Sequence, residues 1–340
     1  MLPDESMFAT YESVSKEETP MAGNNEEAKM RDEEDIVYAL AASPDFVNDG
    51  ICFAARRTGL YRSDDGGISW HNACASLNLE GTLATMAVAV SPGFRSDRTV
   101  FVGVVGGVLC SSDGGEKWSF EVFRTPPPLI STLAISPDFA NDGTIFAGTL
   151  EDGVFRSADR GSHWAAWNFG LLDLSILCLA VSPGFAADET IFAGTDSGIF
   201  RSTNGGRAWR EIDFPGELAP VLCLALSPDY PSSGILFAGT EAHGLYRSSD
   251  RGKTWQRLGE EVIDGTVNCV LVSPEFPTRP GLLAVLSNTL LFSPDGGETW
   301  RPWKEGLNIT QGITTAIAPC GLEPAAPLLI GLVGGQVLRI

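Results

Sequence analysis

The chain has 340 residues, 44% of them hydrophobic, with 38 glycines and 21 prolines, a composition that supplies a large core and many turns and argues for an all-β domain. Its formal net charge of -20 sets it against nucleic acid and anionic membranes as partners, and no apolar run approaches the ~20 residues of a membrane-spanning helix. No Cys-x-x-Cys, ligand-spaced Cys/His pair, phosphate-binding glycine loop or nucleophile elbow occurs, so no cofactor and no metal is expected.

In chain order, residues 1–35 come first, with eleven acids against three bases and no hydrophobic period. They read as an acidic disordered tail, in which Met7, Phe8 and Tyr11 are stray hydrophobes or a docking motif. The opening stretch MLPDESMFATYESVSKEETP has neither the basic nor the apolar region of a secretory signal, which makes a cytoplasmic location the expectation.

Residues 36–340 are copies of one unit, with starts near 36, 84, 129, 175, 220, 266 and 312. A box of the form Ser-x-Asp/Asn-x-Gly-x-x-Trp recurs six times: Ser63, Asp65, Gly67 and Trp70; Ser111, Asp113, Gly115 and Trp118; Ser157, Asp159, Gly161 and Trp164; Ser202, Asn204, Gly206 and Trp209; Ser248, Asp250, Gly252 and Trp255; Ser293, Asp295, Gly297 and Trp300. The copies begin 48, 46, 45, 46 and 45 residues apart, the period of a four-stranded propeller blade. A second landmark, Ser-Pro and then an aromatic two residues on, falls at Ser43, Ser91, Ser136, Ser182, Ser227 and Ser273, with a degenerate seventh at Ala318-Pro319.

Each unit divides into four strands. LCLAVS before Pro183 alternates small and large side chains, as a strand buried on both faces near the axis would. TIFAGT at Thr144 and Thr190 is the second strand, and GVFRS, GIFRS and GLYRS at Gly153, Gly198 and Gly244 are the third. The box turns the chain into a fourth strand beginning near the tryptophan. Within it, the Asp or Asn accepts N–H groups of its own turn, glycine allows a backbone angle closed to other residues, and the indole packs between blades. Cys178, Cys223 and Cys269 share one repeat position and read as small core fillers.

These boxes resemble the Asp-box (BNR) repeat of sialidase-like and sortilin-like propellers. The resemblance implies a seven-bladed β-propeller of four-stranded antiparallel blades, with the box as a structural turn remote from the central site. It does not separate enzymes from binding proteins, because both carry the repeat. A binding-protein precedent of this repeat type is the propeller assembly factor of photosystem II. The arginine triad, tyrosine nucleophile and Arg-Ile-Pro signature of the sialidases are not visible, and Arg62, Arg156, Arg201 and Arg247, one per blade, radiate around the rim.

The last unit, GITTAIAPC, PLLIGLV and GGQVLRI, supplies three strands, and Ile340 aligns with Ser111. A borrowed fourth strand would start near Ala22 to Asn25, where AGNNEEAKM is poor strand sequence, so the edge is expected to be open or covered by another tail segment or a partner. On the face opposite the boxes, turns between second and third strands supply Arg57, Glu151, Asp152, Asp196, Glu241 and His243 as binding candidates. No catalytic residue is assigned. Asp45, Asn48 and Asp49, and Asp138, Asn141 and Asp142, group oxygen atoms as calcium loops do, although Asx turns account for them more simply. Two functions follow: a non-enzymatic scaffold or accessory subunit for a protein partner, at the open edge or the box-free face, or a carbohydrate-binding or glycoside-hydrolase propeller using mouth carboxylates.

Overall fold

The computed structural model describes residues 35–124, 126–215 and 220–340. It is an all-β propeller of seven sheets, six with four antiparallel strands and the last with three. The strands run outward in chain order. In blade four, inner Ile176–Val181 pairs with Ile191–Thr195, which pairs with Ile199–Ser202, which pairs with Arg210–Glu211. The seven inner strands contact one another in a closed ring. The three strands read for the last unit are Ile313–Ile317, Leu329–Leu332 and Val337–Arg339.

Two local expectations change. Inner strands such as Ile176–Val181 are buried only at their first residue and half-buried beyond it, because one flank lines the propeller axis instead of packing. The segment after five of the six Ser-Pro landmarks is a one-turn helix, as at Phe46–Asp49 and Phe139–Asp142, while Ser273 is followed by turns; from the second blade to the sixth the landmark aromatic packs edge to face on a phenylalanine of the preceding blade, Phe101 and Phe139 meeting at 5.8 Å. The oxygens grouped there are engaged locally. Asp49 accepts Ser43 Oγ at 2.6 Å and Ile51 N–H at 2.9 Å, and Asp138 accepts Asn141 Nδ2 at 2.6 Å, the Asx-turn pattern.

The acidic tail lies outside the described residues except for its last member. Asp35 is 1% exposed, and its carboxylate accepts Arg56 Nε at 2.8 Å and Thr58 Oγ1 at 2.9 Å, so this residue belongs to the propeller wall. The ring closes at its inner layers: Gly334 N–H donates to Asp35 O at 2.6 Å, and Thr314 Oγ1 donates to Val37 O at 2.6 Å.

Candidate functional site

The box is a fastener in every copy. In blade three, Ser157 Oγ donates to Asp159 Oδ1 at 2.7 Å and accepts Gly161 N–H at 2.9 Å, while His163 N–H donates to the same carboxylate at 2.9 Å. Asn204 keeps this scheme, taking Ser202 Oγ at 2.8 Å and Ala208 N–H at 2.9 Å, so a neutral amide suffices. The glycine needs its freedom: Gly161 has φ 86°, and a Cβ there would stand 2.7 Å from Phe101 of the preceding blade.

Hydrogen bonding also moves the box acids. The Ser69 hydroxyl and amide, with Ser63, hold Asp65 far below the usual carboxylate range. The Thr254 amide and hydroxyl bring Asp250 down to about 2. At Asp159 slight burial works the other way, and His163 and Ser157 outweigh it to give about 2. Burial drives the thiols upward, Cys178 to about 12 and Cys269 to about 11, with Cys223 also raised; Cys178 Sγ donates to Val221 O at 3.6 Å.

The ladders put the boxes at one end of every blade and the second-to-third-strand turns at the other: Ser202 lies beside Ile191, and Ile176 beside Thr195. The candidates Arg57, Glu151, Asp152, Asp196, Glu241 and His243 therefore share the box-free face, spread over blades one, three, four and five. All but Asp152 are exposed. Asp152 forms an ion pair with Arg124, two residues past the outer strand of blade two, and its carbonyl accepts Asn168 Nδ2 at 2.8 Å. The backbone N–H of His243 donates to Thr240 Oγ1 at 3.0 Å. These bonds build separate turns rather than one cluster.

The same face carries a feature that the charged residues do not reveal. Eleven large hydrophobic side chains stand exposed among the described residues. Nine of them, Tyr38, Leu79, Val122, Phe169, Leu172, Leu174, Val262, Leu307 and Val333, lie at box-distal strand ends or in the linkers from outer to next inner strand. Phe169 and Leu172 are each 80% exposed and flank Leu171, which is 6% exposed. Their linker is held firmly: Phe169 O accepts Trp209 N–H at 2.8 Å, and Asp173 accepts Ser175 N–H at 2.9 Å and Ser197 N–H at 2.8 Å.

Residues 61–72 match the BNR/Asp-box repeat, and residues 245–258 match the BNR-Asp box repeat. The chain carries two BNR/Asp-box repeats in a seven-bladed propeller. No curated protein sequence matches it significantly. Among solved structures, this Asp-box propeller is similar to YCF48 bound to D1 peptide, at 15% identity and TM-score 0.66, covering 90% of this chain and 91% of that one. It is also similar to the GH74 enzyme of Niastella koreensis, at 17% identity and TM-score 0.70, covering 89% of this chain but 52% of the enzyme. A third likeness is the extracellular domain of the putative one component system BT4673 from B. thetaiotaomicron, at 14% identity and TM-score 0.65, covering 89% of this chain and 38% of that one. The chain thus spans about half or less of the last two, and identities this low establish the fold alone.

Proposed function

We propose that this Asp-box propeller is a non-enzymatic platform for a protein partner, docked on the box-free face and its linkers. One observation carries the reading: Phe169 and Leu172 are presented to solvent by a linker whose backbone is already fixed. Apolar groups held in place lose little conformational freedom on binding, and concentrated exposure of this kind marks interaction surfaces. Exposed acids such as Glu80, Glu151, Asp196, Glu241, Glu261 and Asp264 lie in turns and linkers around the ring, so the partner's matching surface is apolar with a basic margin.

The likeness to YCF48 bound to D1 peptide, a structure of similar size, supports a binding role. Seven free thiols suit a reducing compartment, which favours the cytoplasm. The net charge of -20 disfavours nucleic acid and anionic membrane as alternatives, and no helix of the described residues is long and apolar enough to cross a membrane. Affinity purification from native cells beside a glycan-binding screen tests the reading. The expected result is one protein recovered in stoichiometric amount and no glycan bound; glycan binding without a protein partner would carry the carbohydrate reading, for which the GH74 likeness stands.

A further inference from the structure

We propose that the seam between blades three and four binds a small phosphate monoester, its phosphate held by Arg156 and Arg207 and its organic body lying against Trp164 and Trp167. The proposal is independent of the docking face, because Arg156 directly precedes one box and Arg207 lies within the next, both at the box end of the blades.

This seam departs from the others at its arginine. At three seams the arginine before the box serine reaches a carbonyl of the next box: Arg62 Nη1 donates to Gly114 O at 2.9 Å, Arg201 Nη1 to Arg251 O at 2.8 Å, and Arg247 Nη1 to Gly296 O at 3.4 Å. Arg156 comes to the same place over Gly205, where a Cβ would stand 3.5 Å from its Nη1. Yet the acceptor it meets among the described residues is Thr144 Oγ1, 3.4 Å from Nη2 and within its own blade. Arg62 and Arg247 share with it a buried Nε that has no acceptor, so that feature belongs to the position. What sets Arg156 apart is the missing carbonyl, which leaves Nη1 for another acceptor.

A second guanidinium stands beside it. The box position that carries Glu116 opposite Arg62 carries Arg207 opposite Arg156, so like charges meet where the first seam has an ion pair. Both guanidinium carbons lie over one ring, Arg156 at 4.5 Å and Arg207 at 5.4 Å from the centroid of Trp167. A Cβ on Gly205 would stand 3.4 Å from Arg207 Nη1, so the two Nη1 atoms flank the same bare glycine. The carboxylate that meets them is Glu189, whose two oxygens each accept Arg207 Nη1 at 3.1 Å. Nε and Nη2 of Arg207 are left without an acceptor among the described residues. Burial, and then the charge of Arg207, hold Arg156 below the ordinary guanidinium value against the pull of Glu189 and Asp142. In a chain of net charge -20 this is a local excess of positive charge, presented as planar donor forks that match phosphate oxygens.

The room for a ligand lies next to these donors. A cavity of about 290 Å³ opens beside Arg156, walled by Trp164, Ala165 and Trp167. Asp159 also borders it, but its carboxylate is engaged by Ser157 Oγ at 2.7 Å and His163 N–H at 2.9 Å. The volume is at the small end for ligand pockets and takes one ring or short chain instead of a macromolecule. Two indoles beside two phosphate donors suit an ester whose body packs on an aromatic face.

Calorimetric titration of the chain with phenyl phosphate and with inorganic phosphate tests the proposal. The wild type should bind phenyl phosphate saturably at one site, about tenfold more tightly than inorganic phosphate. Arg207→Gln should weaken phenyl phosphate binding by about tenfold, and Glu189→Gln should strengthen it by about threefold, because it removes the competing carboxylate. Both side chains are about half exposed, so unfolding midpoints should confirm that the variants fold, and a general loss of stability would not move affinity in opposite directions. Absence of saturable binding in both the wild type and Glu189→Gln overturns the proposal. So does equal affinity for the two probes, or binding that is unchanged in Arg207→Gln.

Discussion

Arg62 of blade one donates from Nη1 to the carbonyl of Gly114, 2.9 Å away in the box of blade two. The relationship repeats around the ring: Arg201 Nη1 reaches Arg251 O at 2.8 Å, Arg247 Nη1 reaches Gly296 O at 3.4 Å, and the guanidinium of Arg339 lies beside Gly66 across the closing seam. Arg62, Arg201 and Arg247 are thus each a staple to the next box, whereas Arg156 donates to Thr144 Oγ1 of its own blade. Arg62 is 7% exposed and also pairs with Asp64 and Glu116. Arg62→Ala should lower the stability of the chain by about 1.5–3 kcal/mol, the range for hydrogen bonds to charged groups. Urea unfolding checks it, and an unchanged midpoint would leave the staple without energetic weight.

The box itself should behave as a buried turn. Ser157→Ala leaves Gly161 N–H without the oxygen it uses, at a cost of about 1–3 kcal/mol. Gly161→Ala forces a side chain into φ 86° and against Phe101, and should cost at least about 1 kcal/mol. Asp250→Asn should be milder than either, because Asn204 already serves in blade four. Thermal unfolding of the three variants gives the order.

Acid should weaken the protein in a defined window. The box carboxylates are held below the ordinary range by hydrogen bonds, Asp159 and Asp250 at about 2 and Asp65 lower still. A depressed folded-state value contributes stability that is fully present above the unfolded value of roughly 4 and is lost as pH falls through the folded one. Unfolding free energy should therefore fall between about pH 4 and pH 2, and Asp250→Asn should reduce the slope. A flat profile in that interval would contradict the assignment.

The aligned thiols should be inert in the native chain. Burial raises Cys178 to about 12, Cys269 to about 11 and Cys223 as well, so almost no thiolate exists at neutral pH. A maleimide reagent should leave these three unmodified in the folded protein and modify all seven cysteines after denaturation. Rapid labelling of Cys223 in the native state would show that the inner strands open.

The sequence makes the fold legible because the box is a local device: Ser157, Asp159, Gly161 and Trp164 interact within eight positions, so spacing alone reports each blade. The face of the charged candidates was legible for the same reason, since Glu151, Asp196 and Glu241 sit in turns bounded by recognisable strands. What Arg62 touches was not, because Gly114 is 52 residues away and only ring closure brings it near. Nor was the apolar surface. In NFGLLDLS the side chains of Phe169 and Leu172 face solvent while Leu171 between them is buried, and an irregular linker has no period from which to infer that.

The central claim is that the box-free face holds a protein partner through its fixed apolar linker. Its most direct test is partner capture from native extract by the wild type, by Phe169→Ser/Leu172→Ser, and by Val47→Ser/Ile68→Ser on the box face, each confirmed as folded by its unfolding midpoint. The account predicts that the protein recovered with the wild type is lost with the first pair and kept with the second. Undiminished capture by Phe169→Ser/Leu172→Ser would contradict it.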